Sequence, residues 1–523
     1  MKKIIVFSLA IALAIFTNSC SSGGNSPEPT PTPEKATVTI NPTKDKALEP
    51  GVNGEFTITL SKAISTATTV YYKVEGTATN GVDYQEIETN ISVPAKSTSV
   101  KIPVVVIDDE ETEGTETVII TLSDTDNGNV TISTLNKAIV SIEEEEETVP
   151  YVPSIEPGAT RSYMVNSNAT DETVALFYNL KILSETNNVI IGQQDAFNAF
   201  YNDNTGDSDI KKTTGSDPGL LGSDFMFITD DNNDGTSSNW FYQQEEIITG
   251  DAIEAYDKGM VNTFCWHFRE PYSGDEFYAS NINSDDLNKA FQSILPGGEN
   301  HEYYKQKLQK IAEVTKGMVG SDGKQVPIVF RPFHEFDGSW FWWGANYCTP
   351  SEYIELWQFT VEYLRDDLQV DNMLFAFSPD NNFTTASQYL ERYPGDEYVD
   401  ILGMDNYGDF ANQGQSGANT ANSKLQVLTN LAKEKVKIAA LTETGYRVDS
   451  NHSPISNLYS TYFYSALTNN NVEVAFMMFW NNNSDGYYTP VPGESDANDF
   501  VSFYNKEETL FQNNLPDLYT LPN

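Results

Sequence analysis

The stretch PIVFRPFHEFDGSWFWWG, residues 327–344, decides the fold of the larger part of this sequence. It begins with a short apolar run, which is typical of a strand in a parallel sheet whose outer face is covered. The run leads into Arg331, His334 and Glu335, and three of the seven tryptophans of the chain follow by residue 343. The stretch therefore predicts a buried strand whose C-terminal end carries chemically capable side chains.

Seven more apolar runs of this kind occur between residues 155 and 523, and helical segments alternate with them. Eight strand–helix units predict an α/β fold, a (β/α)8 TIM barrel with insertions, for residues 155–523. A doubly wound sheet is the alternative, because it shows the same alternation. The runs are NVIIGQQD (188–195), FMFITDD (225–231), VNTFCWHF (261–268), PIVFRPFHE (327–335), NMLFAFSPD (372–380), VDILGMDNY (399–407), KIAALTETG (437–445) and VAFMMFWNN (474–482).

One helix between these runs can be recognised from its first residues. Thr349 and Glu352 have the spacing of a capping box, and Pro350 stands at the first helical position. The following apolar residues recur on one helical face. They are Tyr353, Leu356, Trp357, Thr360 and Leu364.

The N-terminal residues resemble a bacterial lipoprotein signal peptide. Lys2 and Lys3 precede the apolar run 4–16, which is too short to cross a bilayer, and Cys20 closes a loose lipobox. We predict a signal peptide over residues 1–19, lipidation of Cys20 and a flexible tether over residues 20–35. The expected location is the outer membrane or cell surface of a Gram-negative bacterium. A plain secretory signal with an incidental cysteine is the alternative.

Residues 36–147 are predicted to form an all-β sandwich of antiparallel strands, because short alternating runs are separated by Gly, Asn and Asp turns. ATNGVDY and VVIDDEETEGTETVIITLSD resemble the Calx-beta family. The resemblance implies possible structural calcium, and clustered carboxylates offer hard oxygen ligands at Asp108, Asp109, Glu110 and Glu113. A solvated acidic loop in a spacer module is the alternative. Residues 148–154 are predicted to be a linker.

Charge and cysteine content limit the partners of the chain. The formal net charge of −44 argues against nucleic acid and other polyanions, because like charges repel, but it leaves neutral substrates open. Only three cysteines occur, without the spacing of a metal site. Besides Cys20, Cys265 and Cys348 remain, either as a disulfide or as two inert thiols.

Polar or aromatic residues close every predicted strand, where barrel enzymes carry their chemistry. Glu335 and Glu443 end the fourth and seventh strands and so lie nearly opposite each other, as glycoside hydrolysis requires of its two carboxyl groups. The other residues at the strand ends are Gln194, Asp195, Asp230, Asp231, Trp266, His267, His334, Asp380, Asp405, Tyr407 and Trp480.

RPFHEFDGSWFWWG closely resembles the signature of glycoside hydrolase family 26, a family of β-mannanases. The resemblance implies that Glu335 is the acid/base and that Glu443, in LTETG, is the nucleophile. Phe336 and Asp337 depart from the residues common at these two positions in the family. The resemblance further implies that the substrate-binding residues are His267 and Trp266 in CWH, His334, Trp340, Asp405 and Tyr407 in MDNY, and Trp480 in MFWNN.

The expected activity is that of a mannan endo-1,4-β-mannosidase, a retaining enzyme without a catalytic cofactor and expected to be a monomer. A retaining mechanism predicts carboxyl groups about 5–5.5 Å apart and a pKa of Glu335 raised by its anionic neighbour. Two alternatives stay open: the same mechanism on β-1,3-xylan or mixed-linkage β-glucan, and a glycan-binding lipoprotein without activity. Cleavage within chains and cleavage at chain ends are not distinguished.

Overall fold

The computed structural model describes residues 35–49, 51–107, 114–144, 153–201 and 205–522. The chain divides into two compact units at residues 151 and 152. The predicted signal peptide, Cys20 and nearly all of the tether lie outside the described residues. So do four predicted calcium ligands, Asp108, Asp109, Glu110 and Glu113.

The first unit is a β-sandwich of a four-stranded sheet, in the order β6-β3-β1-β8, and a five-stranded sheet, in the order β2-β9-β7-β4-β5. Its strands are β1 (Ala36–Lys44), β2 (Lys46–Glu49), β3 (Gly54–Leu60), β4 (Thr68–Gly76), β5 (Asn90–Val93), β6 (Ser99–Val104), β7 (Glu116–Thr125), β8 (Val130–Ile132) and β9 (Lys137–Glu144). Along β3 every second residue is buried, which is the period of a strand with one face against a core.

Two strand pairs of the sandwich are parallel, β1 with β8 and β2 with β9, whereas the sequence suggested an antiparallel sandwich. β1 and β2 follow each other along the chain but belong to different sheets. The chain crosses from one sheet to the other between them, so they do not form an antiparallel hairpin. Each pairs instead with a strand that is distant in sequence, β1 with β8 and β2 with β9.

The second unit is a closed barrel of eight parallel strands, because β10 pairs with both β11 and β17. This confirms the predicted TIM barrel. The short strand β18 (Thr509–Leu510) pairs in parallel with the first two residues of β10. The barrel strands are β10 (Val189–Gln194), β11 (Leu220–Asp224), β12 (Val261–Cys265), β13 (Ile328–Arg331), β14 (Met373–Phe377), β15 (Ile401–Asn406), β16 (Ile438–Thr444) and β17 (Phe476–Phe479).

Helices cover the outside of the barrel. They are α1 (Asp171–Glu185), α2 (Asp209–Thr214), α3 (Trp240–Asp257), α4 (Ser284–Ile294), α5 (His301–Gly317), α6 (Pro350–Glu362), α7 (Ala386–Tyr389), α8 (Gly414–Lys435), α9 (Tyr464–Thr468) and α10 (Ala497–Tyr504). The predicted capping box of α6 is confirmed, since Thr349 and Glu352 each accept a backbone hydrogen bond from the other. None of the helices in the described ranges combines the length and apolar composition needed to span a bilayer.

The second barrel strand is β11, and the prediction that placed it at residues 225–231 is wrong. Position 222 in β11 is a glycine, because a Cβ there would come within 2.3 Å of the Gln194 side chain and 2.4 Å of Met478. Glycine is rare inside strands, so residues 220–224 do not have the composition by which a strand is recognised in a sequence. Phe225 instead begins a turn and packs its ring on Phe264, with the centroids 4.5 Å apart. Asp224 therefore ends the strand, rather than Asp230 or Asp231.

Candidate active site

Glu335 lies just beyond β13, in a turn with unusual backbone angles. Phe333 and Glu335 have φ values of +49° and +52°, in the left-handed region that costs a residue with a side chain roughly 1–2 kcal/mol. The backbone N–H of Glu335 donates to the carbonyl of Ser378, 2.9 Å away, beyond the end of β14. Strain of this kind persists where the surrounding structure enforces it, as at functional sites.

The carboxyl group of Glu335 is nearly buried, with the residue 9% exposed. One of its oxygens accepts a hydrogen bond from Trp340 Nε1 at 2.5 Å. Burial raises the pKa of Glu335 well above its usual value, and the negative charge of Glu443 raises it further. The predicted direction of this shift is confirmed, but its main cause is burial rather than the anionic neighbour. A carboxyl group that stays protonated near neutral pH can serve as a general acid.

Glu443 lies in β16 and receives a hydrogen bond on each carboxylate oxygen. Tyr407 donates its hydroxyl to Oε1 at 2.8 Å, and Arg331 donates from Nη2 to Oε2 at 2.5 Å. Burial, followed by the charge of Glu443, raises the pKa of Tyr407 well above its usual value, so this phenol keeps the proton that it donates. The two donors stabilise the anionic carboxylate that a nucleophile requires.

Arg331 was not predicted as a site residue. It is 1% exposed and pairs with Asp405 and Glu443 at once. A buried guanidinium is strongly destabilising unless it is paired. An arginine at the end of an apolar strand was therefore a signal in the sequence that carboxylates lie close by.

Asp405 was predicted to contact the sugar, and the structure corrects this. The residue is fully buried in β15. One of its oxygens accepts from Arg331, and the other accepts from the Thr442 hydroxyl at 2.7 Å. Both oxygens are thus occupied inside the protein, and Asp405 acts by fixing Arg331.

The structure brings His334 and His267 together, with ring centroids 4.7 Å apart and the rings nearly perpendicular. His334 is 1% exposed, and its Nδ1 has no hydrogen-bond partner among the described residues. Burial, followed by the charge of Arg331, lowers the pKa of His334 well below its usual value. His334 is therefore neutral.

His267 is oriented by Asp224, a residue that the sequence analysis missed. Asp224 Oδ2 lies 2.6 Å from His267 Nδ1, and Oδ1 accepts the backbone N–H of His267 at 3.1 Å. Burial acts to raise the pKa of Asp224, but the charge and hydrogen bonds of His267 outweigh it, and the pKa lies below its usual value. Correct placement of the second strand would have identified Asp224.

Trp266 was predicted to bind substrate, and the structure corrects this as well. The residue is 1% exposed, stacks on Phe268 with the centroids 4.3 Å apart, and donates from Nε1 to the Thr229 hydroxyl at 2.9 Å. Since adjacent residues of an extended segment point to opposite sides, only one residue of the pair can face the site. That residue is His267.

Two tryptophans are placed where a sugar could contact them. Trp340 is 37% exposed, and Trp480 is half-buried with its ring 6.0 Å from that of His267. Trp342 and Trp343 are fully buried and donate to the carbonyls of Phe268 and His334. Trp342 and Trp343 therefore serve packing rather than substrate binding.

The remaining carboxyl groups at the strand ends have different surroundings. Burial, and then the charge of Asp224, raise the pKa of Asp195 to about 6, and burial raises that of Asp380 to about 6. Asp230 and Asp231 lie in the loop beyond β11. Their charges are paired with Arg269 at 3.0 Å and Lys307 at 2.6 Å, respectively.

Both cysteines of the barrel are buried free thiols. Cys265 Sγ lies 3.8 Å from His267 Nδ1, and Cys348 Sγ lies 3.4 Å from the Arg392 guanidinium. Of the two alternatives from the sequence, the structure therefore agrees with separate thiols.

A cavity of about 820 Å³ adjoins Tyr407 on the side of the loops after β15 and β16. Its lining includes Gly445, Arg447, His452 and Tyr488. His452 is exposed at this cavity, and its Nδ1 lies 2.9 Å from Asp449 Oδ1. His301, at the start of α5, donates from Nδ1 to the carbonyl of Ile294 at 2.8 Å.

Comparison with known proteins gives two family matches. Residues 165–477 match the model of glycosyl hydrolase family 26, and residues 32–146 match the Calx-beta domain. The matches cover the barrel and the sandwich, respectively.

Individual relatives agree with the first of these matches. A mannan endo-1,4-beta-mannosidase of Bifidobacterium adolescentis is 33% identical over 359 residues, or 66% of this chain and 35% of that protein. The structure of GH26C from Muricauda sp. MAR_2010_75 is 61% identical, with a TM-score of 0.70, over 71% of this chain and all of that one. An endo-beta-1,4-mannanase of Cellulomonas fimi is 32% identical, with a TM-score of 0.62, over 68% of this chain and 79% of that one. The chain thus spans about a third of the length of the Bifidobacterium relative.

Proposed function

The chain belongs to glycosyl hydrolase family 26, since the family model matches more than half of its residues, and from this we propose that it hydrolyses β-1,4-mannosidic bonds with retention of configuration. The proposed substrates are mannan, galactomannan and glucomannan. Relatives that are mannan endo-1,4-beta-mannosidases support this choice of substrate.

One observation carries the proposal: the barrel holds two glutamates at its strand ends in opposite electrostatic surroundings. Glu335 is buried beside a carboxylate, which favours its protonated form and outweighs the opposite effect of the indole hydrogen bond from Trp340. Glu443 accepts a hydrogen bond on each oxygen, from the Arg331 guanidinium and from the Tyr407 hydroxyl. An acid and a nucleophile separated in this way are what the two-step reaction needs.

In the first step, Glu443 attacks the anomeric carbon while Glu335 donates its proton to the leaving oxygen. Tyr407 and Arg331 hold the attacking carboxylate in place. In the second step, Glu335, now ionised, takes a proton from water, and the water displaces Glu443 from the sugar. Two inversions give a product with the original β configuration.

Residues around the two glutamates are proposed to hold the sugar rings. Trp340 and Trp480 offer aromatic faces for stacking, and His267 offers a ring nitrogen to a hydroxyl. Tyr407 lines the adjoining cavity and donates a hydrogen bond to Glu443. His334 and Asp405 are buried behind these groups and are proposed to support them.

Product analysis on a panel of β-mannans, β-1,3-xylan, mixed-linkage β-glucan and matched oligosaccharides tests the proposal. We expect mannan oligosaccharides from mannans, with little release from the other polymers. If oligosaccharides were released only from xylan or β-glucan, the proposed substrate would be wrong but the proposed mechanism would stand. Binding without any release, equal for the wild type and Glu443→Gln, would favour a non-catalytic glycan-binding protein. The product lengths also distinguish cleavage within chains from cleavage at chain ends.

We further propose that lipidation of Cys20 anchors the protein to the outer membrane or cell surface. The support is the lipobox-like sequence before Cys20. Expression in a Gram-negative host with a radiolabelled fatty acid would test this. The wild type should carry label and partition into detergent, and Cys20→Ser should do neither. Equal label in both proteins would contradict the proposal.

Calcium binding by the sandwich is a separate proposal, with Asp108, Asp109, Glu110 and Glu113 as ligands. It is supported by the Calx-beta match and by the hard oxygen donors of these residues. Calorimetry with Ca²⁺ should show binding that Asp108→Ala and Asp109→Ala together abolish. The absence of heat from the wild type would contradict it.

A further inference from the structure

Three side chains with different donor atoms converge at one point beside the candidate site. The ligand atoms of Asp224, Cys265 and His267 all lie within 4.8 Å of one another. The barrel itself creates this cluster, because Asp224 in β11 and Cys265 in β12 are register partners on adjacent strands. His267 follows two residues after Cys265, on the same side of the extended chain.

We propose that Asp224, Cys265 and His267 form an inhibitory binding site for a soft divalent cation such as Zn²⁺. A carboxylate, a thiolate and an imidazole are donors that zinc accepts, and three protein ligands leave a fourth position for water. Asp224 and His267 side chains are 15% and 10% exposed, whereas Cys265 is 2% exposed, so a cation would enter past the carboxylate and the imidazole.

Two of the three distances between ligand atoms require only a small adjustment, and the third, between Asp224 and Cys265, lies within 4.8 Å. Around tetrahedral zinc, a nitrogen and a sulfur ligand lie about 3.6 Å apart, and a nitrogen and an oxygen ligand lie about 3.3 Å apart. His267 Nδ1 is already 3.8 Å from Cys265 Sγ, and it is 2.6 Å from Asp224 Oδ2. The cation would therefore open one hydrogen-bonded pair by about 0.7 Å.

The charges balance on binding. Cys265 releases its thiol proton to water, and His267 gives up the Nδ1 proton that it donates to Asp224, either to Nε2 or to water, so that Nδ1 can bind the metal. The thiolate and the Asp224 carboxylate together neutralise the two charges of the cation. Near Cys265, Asp195 and Glu443 carry negative charge and Arg331 carries positive charge, and burial raises the pKa of the Cys265 thiol well above its usual value. The metal must therefore displace the thiol proton to bind the sulfur.

Occupation of this site would inhibit the proposed hydrolysis. Metal binding through Nδ1 would shift the imidazole of His267, which is proposed to face the sugar. The shift would also disturb the neighbouring rings of His334 and Trp480. The positive charge would also favour ionised Glu335, whereas the first step needs its proton. The inhibition part of this inference rests on the proposed function, but the binding part does not.

The test uses the full chain, stripped of metals with a chelator, and two matched cysteine variants. Cys265→Ser removes the thiol from the cluster, and Cys348→Ser removes the other buried thiol, which lies beside Arg392. Binding of Co²⁺ is followed through its thiolate-to-cobalt charge-transfer absorption, and Zn²⁺ is then added as competitor. Hydrolysis of a mannan oligosaccharide is measured over the same Zn²⁺ range, with reversal by chelator.

We expect one Co²⁺ per chain with a thiolate band in the wild type and in Cys348→Ser. Cys265→Ser should keep its activity in the absence of metal, lose the band and become less sensitive to Zn²⁺ by at least about tenfold. A wild-type complex without a thiolate band, or equal sensitivity in Cys265→Ser, would overturn the proposal. If Cys265→Ser does not fold, the presence or absence of the thiolate-to-cobalt band in the wild type and in Cys348→Ser decides whether Cys265 binds the metal. Metal binding without hydrolysis would leave this site standing and refute the proposed function instead.

Discussion

Glu443 owes its proposed role to two neighbours, Arg331 and Tyr407, which bond its two oxygens. We expect Glu443→Ala to lower hydrolysis of mannan by at least about 10⁴-fold, because the two-step reaction then has no nucleophile. Product release and thermal unfolding should be measured on the same preparation. Near-normal activity in a folded variant would remove Glu443 from the mechanism.

Glu335→Ala should be selective, because general acid assistance is worth about 10²–10⁴-fold and matters most for a poor leaving group. Hydrolysis of mannan should fall within that range. An aryl mannoside with a good leaving group should keep a fast first step, and azide should rescue the second step by replacing the activated water. Losses of the same size on both substrates, without azide rescue, would argue against Glu335 as the acid/base.

The stability of Glu335→Gln should depend on pH. The folded protein raises the pKa of Glu335 above its usual value of about 4.5. The wild type therefore loses stability as the pH rises above about 4.5, by about 1.4 kcal/mol for each pH unit until the folded pKa is reached. A neutral glutamine avoids this loss and still accepts the Trp340 hydrogen bond.

Urea unfolding at pH 4 and pH 7 checks this prediction. Glu335→Gln should be more stable than the wild type at pH 7 and lose that advantage at pH 4. The exposed Glu355 in α6 supplies the control variant Glu355→Gln, which should show no such difference. A gain that is the same at both pH values would contradict a raised pKa.

Single residues also mark how far the sequence could predict the site. Glu335 and Glu443 were recognised because each lies within a local motif. Asp224 and the pairing of Arg331 were missed because they depend on which strands are neighbours. Trp266 and Asp405 were assigned to the sugar because sequence does not show which side of the backbone a residue faces.

At the level of elements, β11 contains a glycine at a closely packed position, Gly222. In Gly222→Ala, the added Cβ would lie 2.3 Å from Gln194 Oε1, 2.4 Å from Met478 Sδ and 3.0 Å from the Gln194 backbone. We expect a loss of stability of about 1–3 kcal/mol, as overpacked cores show. Denaturant unfolding of the whole chain would measure it.

Gly250 provides the matched control, because it lies in the exposed part of α3 and a Cβ there would meet nothing within 4 Å. Gly250→Ala should stabilise the protein by about 0.4–1 kcal/mol. If Gly222→Ala proved as harmless as Gly250→Ala, the close packing of β11 would be refuted.

The elements differ in how well their patterns predicted them. Seven barrel strands were located because apolar runs between helices are a regular signal. The second strand was misplaced because the aromatic run 225–229 looks more strand-like than the glycine-containing strand before it. The start of α6 was predicted because its cap is a contact between Thr349 and Glu352, which lie close in sequence.

For the whole molecule, each of the two units has its own hydrophobic core. Phe56, Val70 and Val118 are among the buried residues of the sandwich core, while the barrel cores are built from residues beyond 154. A chain that lacks residues 1–151 should therefore fold and hydrolyse soluble mannan with a kcat/KM within about twofold of the full chain, as expected of independent domains. Activity and thermal unfolding would be compared with those of the full chain. Loss of activity in a folded fragment would show that catalysis needs the sandwich.

The sequence by itself predicted eight alternating strand–helix units, the β-sandwich and the two glutamates, whereas closure of the eight strands into a barrel was seen only in the structure. Strand periodicity, turn residues and caps are local properties, and each motif around Glu335 and Glu443 spans only a few residues. Local signals of this kind do not depend on how distant segments meet.

Only the tertiary structure decided the chemistry between these residues. Closure of the barrel places Arg331 between Asp405 and Glu443, and the alignment of β11 with β12 places Asp224 and Cys265 beside His267. The raised pKa of Glu335 arises from burial and from a carboxylate more than a hundred positions away. Burial and charge–charge distance are properties of the folded arrangement, and no local pattern specifies them.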